Sequence, residues 1–129
     1  YQVNSGVAGK DIGPYPFQVT RARVTEEDAD VKFLLPNDPS LQKPNRITEV
    51  DFADWIQERG LYFVENTDAT YRKPLSMHDK NETAHDGALI IARYGKGKFV
   101  YTSLAFFRQL PAGVPGAYRL FVNLLAKEE

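Results

Sequence analysis

Ala88-Leu89-Ile90-Ile91-Ala92, then Tyr94-Gly95-Lys96-Gly97-Lys98, then Phe99-Val100-Tyr101-Thr102-Ser103-Leu104: this run decides the fold class. Ala88–Ala92 is apolar without alternation, which suits a strand covered on both faces and predicts a central place in a sheet. Glycines on either side of Lys96 permit the positive φ angles of a tight turn, so Phe99–Leu104 is expected to fold back antiparallel on the first strand. Gly95-Lys96-Gly97 lacks the longer glycine loop closing in Lys-Ser/Thr that cradles phosphate, and it opens no helix, which favours the hairpin. Beyond it, Pro115 suits the first turn of a closing helix in which Ala117, Leu120, Phe121, Leu124 and Leu125 form an apolar stripe ending near Lys127.

Working toward the N-terminus, Glu65–Asp86 is polar and aperiodic and reads as a surface excursion. Leu61–Val64 is a short strand. Thr48-x-x-Asp51 resembles a capping box, and Phe52, Trp55, Ile56 and Arg59 recur at helical spacing until Gly60, which predicts a helix there. Pro36, Pro39 and Pro44 argue for a long connection without regular structure. Thr25–Asp30 is expected as a short helical turn before an apolar Val31–Leu35. Gln18–Val24 alternates as one strand, and Tyr1–Pro16 reads as loop. The expectation is an α/β fold, a mixed sheet with flanking helices, over residues 1–129 as one domain or domain fragment.

Composition narrows the function. The chain has 129 residues with 16 Lys+Arg against 17 Asp+Glu, so its formal charge of −1 offers no electrostatic drive toward nucleic acid. The 43% hydrophobic content is enough to fill a core. Cysteine is absent, which removes disulfides, thiolate metal sites and a Cys nucleophile together. No apolar run approaches the roughly 18 residues of a membrane span, so no membrane partner is expected. The chain opens on Tyr1 and is read as a processed form or a piece of something longer.

Several residue groups are chemically capable, and each has a structural alternative. His78, Asp79, His85 and Asp86 share one polar loop and offer two imidazoles with two carboxylates, a divalent-metal or acid–base set, though their spacing fits no helical or hairpin ligand pattern and a solvated loop is favoured. Ser5 and Ser103 are hydroxyls without the Gly-x-Ser-x-Gly context of a nucleophile elbow. Asn81-Glu82-Thr83 is a glycosylation triplet of the common kind. Phe106–Arg119 leaves a strand end and enters a helix, where Arg108, Gln109, Tyr118 and Arg119 would suit an anionic or hydroxyl-rich ligand. The alternative has Arg108 and Arg119 pairing with carboxylates such as Asp51 or Glu58 to pin the closing helix. Trp55, Gln57 and Glu58 pose the same choice between sugar contact and core.

Gly13-Pro14-Tyr15-Pro16-Phe17, Arg23-Val24-Thr25, Pro44-Asn45-Arg46-Ile47, Asp51-Phe52, Gln57–Tyr62 and the nearly unbroken Tyr94–Leu125 carry a resemblance. Together they look like the C-terminal region of large bacterial PIG-L/LmbE-type deacetylases, a glutamine-amidotransferase-like (ThuA-like) region. The resemblance implies the later part of a class I glutamine-amidotransferase-like, flavodoxin-like fold. It also implies a parent hydrolase whose zinc lies in a separate N-terminal domain built around His-Pro-Asp-Asp. Neither that motif nor the amidotransferase Cys occurs here, so no catalytic residue is assigned to this chain. The implied role is a non-catalytic accessory domain, with the catalytic domain of the same polypeptide as partner and a glycan as ligand. Trp55, Gln57, Glu58, Arg108, Gln109, Tyr118 and Arg119 are then the contact candidates, and a bacterial periplasmic or secreted location follows. The rival is a small ThuA-like sugar-processing hydrolase using the His78/Asp79/His85/Asp86 loop.

Overall fold

The computed structural model describes residues 12–128. Its longest ladder is the expected hairpin: β7 (Leu89–Tyr94) pairs antiparallel with β8 (Gly97–Thr102), from Leu89 opposite Thr102 to Tyr94 opposite Gly97. The turn needs a left-handed residue, and Gly95 supplies it at φ +58°. Side chains along β7 alternate between two apolar layers. Leu89 and Ile91 join the main core, whereas Ile90 and Ala92 pack with Phe17, Val19, Val64 and Tyr71 on the other side. Continuous hydrophobicity was therefore a sound sign of two-sided cover, but the central place in a sheet is corrected, since among the described residues β7 pairs with β8 alone in a two-stranded sheet. The outer edge of β7 is also engaged, because Arg72 N–H donates to Ile91 O at 2.7 Å and Ile91 N–H returns the bond at 3.0 Å.

The closing helix also forms as expected, as α3 (Pro115–Leu125) with Pro115 in its first turn. Ala117, Leu120 and Leu124 are buried, and Phe121 is half-buried against them. Leu125 departs from the expected stripe. It is 71% exposed, being one residue, about 100° of rotation, beyond Leu124. At the other end, Gly116 lies against the Asp51 main chain so closely that a Cβ there would sit 1.8 Å from Asp51 O.

The N-terminal half is more broken than its alternation suggests. Gln18–Val24 divides into β1 (Gln18–Val19) and β2 (Arg23–Val24), and Leu61–Val64 divides into β4 (Gly60–Leu61) and β5 (Val64–Glu65). The breaks face each other. Thr20 Oγ1 donates to Phe63 O at 2.6 Å and accepts from Ala22 N–H at 3.1 Å, while Tyr62 adopts φ +66°. Side-chain bonds of this kind compete with the ladder and end it. The outcome is β1 with β5 and β2 with β4, both antiparallel.

Four further expectations are corrected. Thr25–Asp30 forms no helix, because Asp79 holds Thr25 and Glu26 through their N–H groups at 2.9 and 2.7 Å. The proline-rich connection contains a short helix, α1 (Pro39–Gln42), where Asp38 accepts from Ser40 N–H and Pro39 occupies a first-turn position that needs no N–H. The helix expected after Thr48 reduces to one 3-10 turn, Glu49–Phe52. Its capping pair forms, but Asp54 at φ +63° turns the chain away. The polar excursion hides a strand, β6 (Leu75–Met77), wholly buried and paired antiparallel with β3 (Val31–Phe33).

The architecture is thus mixed helix and strand, but the one mixed sheet expected is replaced, among the described residues, by four two-stranded antiparallel sheets, with α3 packed on the core. The remaining helix, α2 (Phe106–Gln109), is a single turn between β8 and α3.

Candidate functional site

The structure brings the two suspected segments together. After Phe52 the chain runs as an irregular loop, with Gln57 at φ +27° and Glu58 at φ +103°. Such a loop cannot satisfy its own main-chain groups, so they must bond elsewhere. Gln109 of α2, with no exposed surface, fills that need: Oε1 accepts from Ile56 N–H at 2.8 Å, and Nε2 donates to Ile56 O at 2.8 Å and Glu58 O at 3.3 Å. The expected ligand-binding amide is therefore a clasp on the loop.

Glu58 is equally engaged. It is 2% exposed, and Arg23 Nη2 donates to both carboxylate oxygens at 3.0 and 2.9 Å. Arg108 Nη2 approaches the same carboxylate at 3.9 Å, and its guanidinium lies 5.0 Å from the Phe107 ring. Arg108 Nε is buried without a partner among the described residues. Arg119 Nε donates to Asp51 Oδ1 at 2.8 Å, and its Nη2 to Arg46 O at 3.0 Å, tying α3 to the turn it packs on. Pairing of Arg108 and Arg119 with Glu58 and Asp51, the structural alternative for both arginines, is what the molecule displays.

Trp55 is buried at 3% exposure, and its Nε1–H donates to Asp51 O at 2.9 Å. Tyr118 is half-exposed and its hydroxyl donates to Leu110 O. Gln57 is exposed, with its N–H on Glu27 Oε2 at 2.8 Å. Trp55, Gln57, Glu58, Arg108 and Gln109 thus meet at one loop, while Arg119 lies on Asp51 and Tyr118 on Leu110. Phe107 and Tyr118 remain partly exposed, while most polar ends address the protein itself.

The loop histidines do not converge. Asp79 accepts from Thr25 and Glu26, and His78 Nδ1 lies 2.8 Å from Asp79 O. Burial pushes the Asp79 carboxyl up, but the Thr25 and Glu26 bonds outweigh it and hold it below its ordinary value. His85 packs edge-on against Phe63, and Asp86 pairs with Lys73 at 3.1 Å. No group of three or more His, Cys, Asp or Glu among the described residues is placed to hold a metal ion. Ser103 is buried, its hydroxyl near Gly87 O and Ala88 O, and Ser5 lies outside the described residues. Asn81 of the glycosylation triplet is exposed in a turn.

Sequence reasoning passed over two polar groups, Arg72 and Asn123, and placed a third, Arg59, in a helix. Arg72 is bonded to Asp38 at 2.7 Å and to both Glu128 oxygens at 2.8 Å, joining β6's approach, α1 and the chain's end. Burial raises the Asp38 carboxyl, yet bonds from Arg72 and Ser40 leave it lowered overall. Asn123 of α3, 1% exposed, donates to Ser40 O and Asn45 O and accepts from Asn45 N–H at 2.9 Å. Arg59 is buried beside Phe52 and Trp55. An Asn inside an apolar helix stripe was the one readable signal among them. No protein-family model, curated protein or solved structure matches the chain.

Proposed function

We propose that this chain is a non-catalytic accessory domain of a PIG-L/LmbE-type, zinc-dependent N-acetyl-sugar deacetylase, serving to pack against the catalytic domain more than to grip a glycan. The resemblance over Tyr94–Leu125 supplies the family, and one observation favours packing over recognition: Gln109, Glu58 and Arg119, the polar heart of the suspected groove, are bonded internally. A sugar would have to break those bonds to use them. On this reading the hairpin and α3 correspond to the later part of a flavodoxin-like unit, and zinc belongs to the parent catalytic domain. The coding sequence ahead of Tyr1 tests the proposal. A His-Pro-Asp-Asp segment several hundred residues upstream is expected, and a start codon directly before Tyr1 overturns it. Titration of the chain with chitotetraose, followed by amide chemical shifts, separates the two roles. Saturable shifts confined to Trp55, Gln57, Tyr118 and Arg108 would return glycan recognition to first place.

The loop-metal hydrolase is the second reading, resting on two His and two Asp within nine positions of chain. Asp79, spent on Thr25 and Glu26, weighs against it. Under the accessory reading, zinc added in slight excess leaves the melting temperature of the chain unchanged; a saturable rise of several degrees would favour the hydrolase.

A further inference from the structure

We propose that Arg59 anchors a pocket for a small monocarboxylate ligand. This inference is independent of the deacetylase resemblance. Arg59 is 5% exposed and makes no ion pair among the described residues, whereas buried charges are ordinarily paired. Its Nε donates to Ala29 O at 3.0 Å and its Nη1 to Phe52 O. Both hydrogens of Nη2 and one of Nη1 find no acceptor among the described residues. The guanidinium is held in place by aromatic neighbours as well, 5.7 Å from the Phe52 ring centre and 5.9 Å from that of Trp55. A donor fork fixed in this way has little rotamer freedom left to lose on binding.

Arg59 lines a cavity of about 380 Å³ whose wall includes Phe52, Asp30, Lys32 and Glu49. The volume suits a ligand of one or two small rings. Charge selects its class. Burial pulls the guanidinium below its ordinary value, but Asp28, Asp30 and Glu27 oppose that from beyond contact distance, and an arginine stays charged throughout. Asp30 and Glu49 on the wall, with Asp28 and Glu27 near Arg59, repel a phosphate dianion more strongly than a monoanion. A carboxylate matches the fork in shape and carries the smaller charge. Lys32, exposed on β3, supplies a second cation at the wall, and the Phe52 ring offers apolar surface to the rest of the ligand.

Trp55 is the only tryptophan, so its emission reports on this site. The chain is titrated with sodium glucuronate at constant ionic strength, with glucose and inorganic phosphate as comparisons. Glucuronate is expected to give a saturable change with a dissociation constant on the order of 1 mM, phosphate a weaker one, and glucose none. Arg59→Lys, which keeps charge but loses the fork, should abolish saturation. Because that substitution is buried and its fold is at risk, Lys32→Glu on the exposed strand provides the second arm and should weaken binding about tenfold. The inference is overturned by a flat response to glucuronate up to about 100 mM. Equal responses to phosphate and glucuronate, or a Lys32→Glu titration identical to that of the native chain, overturn it as well.

Discussion

Replacing Gln109 by Leu keeps its volume and deletes the clasp on the loop. Three bonds disappear: Ile56 N–H at 2.8 Å, Ile56 O at 2.8 Å and Glu58 O at 3.3 Å. Each is worth about 1 kcal/mol net, and a buried acceptor left empty costs roughly 1–3 kcal/mol more. Ile56 is 44% exposed, so water can recover part of its loss, whereas the bond to Glu58 O is buried. The expected destabilisation of Gln109→Leu is therefore about 3 kcal/mol, read from urea unfolding with Trp55 emission and an unchanged denaturant slope. Gln109→Glu makes a sharper companion. Its carboxylate can accept from Ile56 N–H but has no proton for the two carbonyls, so its folded-state pKa must rise above the unfolded value. The sign follows: Gln109→Glu is less impaired below pH 4, where the acid can donate, and loses stability as pH rises through the raised value. A Gln109→Leu chain within about 0.5 kcal/mol of the native one would show that the loop needs no such support, and the account of the site would fail.

Other substitutions probe the remaining contacts. Asp38 and Asp79 both titrate below their ordinary value, so their stabilisation is complete above a pH of about 4 and is lost as pH falls through the depressed values. Asp79→Asn should flatten that acid limb in a pH series of urea melts; an unaltered limb would refute the role of the Thr25 and Glu26 bonds. Gly116→Ala places a methyl against Asp51 O and should cost about 1–3 kcal/mol, despite the higher helix propensity of Ala. A neutral or stabilising result in thermal melts would contradict that close approach. Trp55→Phe keeps an aromatic in the core but drops the bond to Asp51 O, for an expected loss of about 1–2 kcal/mol by chemical denaturation monitored by circular dichroism.

Where sequence sufficed, the cause was local. The β7–β8 hairpin follows from neighbouring residues and one glycine turn, and α3 from a proline start and an apolar stripe. Where it failed, the deciding partner was far away. Of Phe52, Trp55, Ile56 and Arg59, three are buried as a helix pattern requires and Ile56 is exposed; Phe52 ends the 3-10 turn, and beyond it Asp54 and Gln109 keep the chain an irregular loop, which spacing cannot distinguish from a helix. β6 sat unseen in a polar stretch because its burial depends on pairing with β3, some forty residues earlier. Pro39 was read as a breaker when it occupied the one helical position that favours it. The candidate site was legible as a cluster of residues. Its arginine–carboxylate pairs were among the alternatives the residue types offered, but the direction in which Gln109 and Trp55 point required coordinates.

Asn123 has a consequence for how the molecule folds. Its amide reaches Ser40 across 83 positions of chain and Asn45 across 78. Arg119 and Asp51 are joined across 68 positions, and Gln109 and Ile56 across 53. Contacts of such sequence separation require large loops to close before they return any stabilisation, which slows folding relative to a helical bundle of equal size. The segment from Pro36 to Tyr62 receives part of its order from side chains far downstream, on α2 and α3. During synthesis those contacts must wait until both helices have emerged.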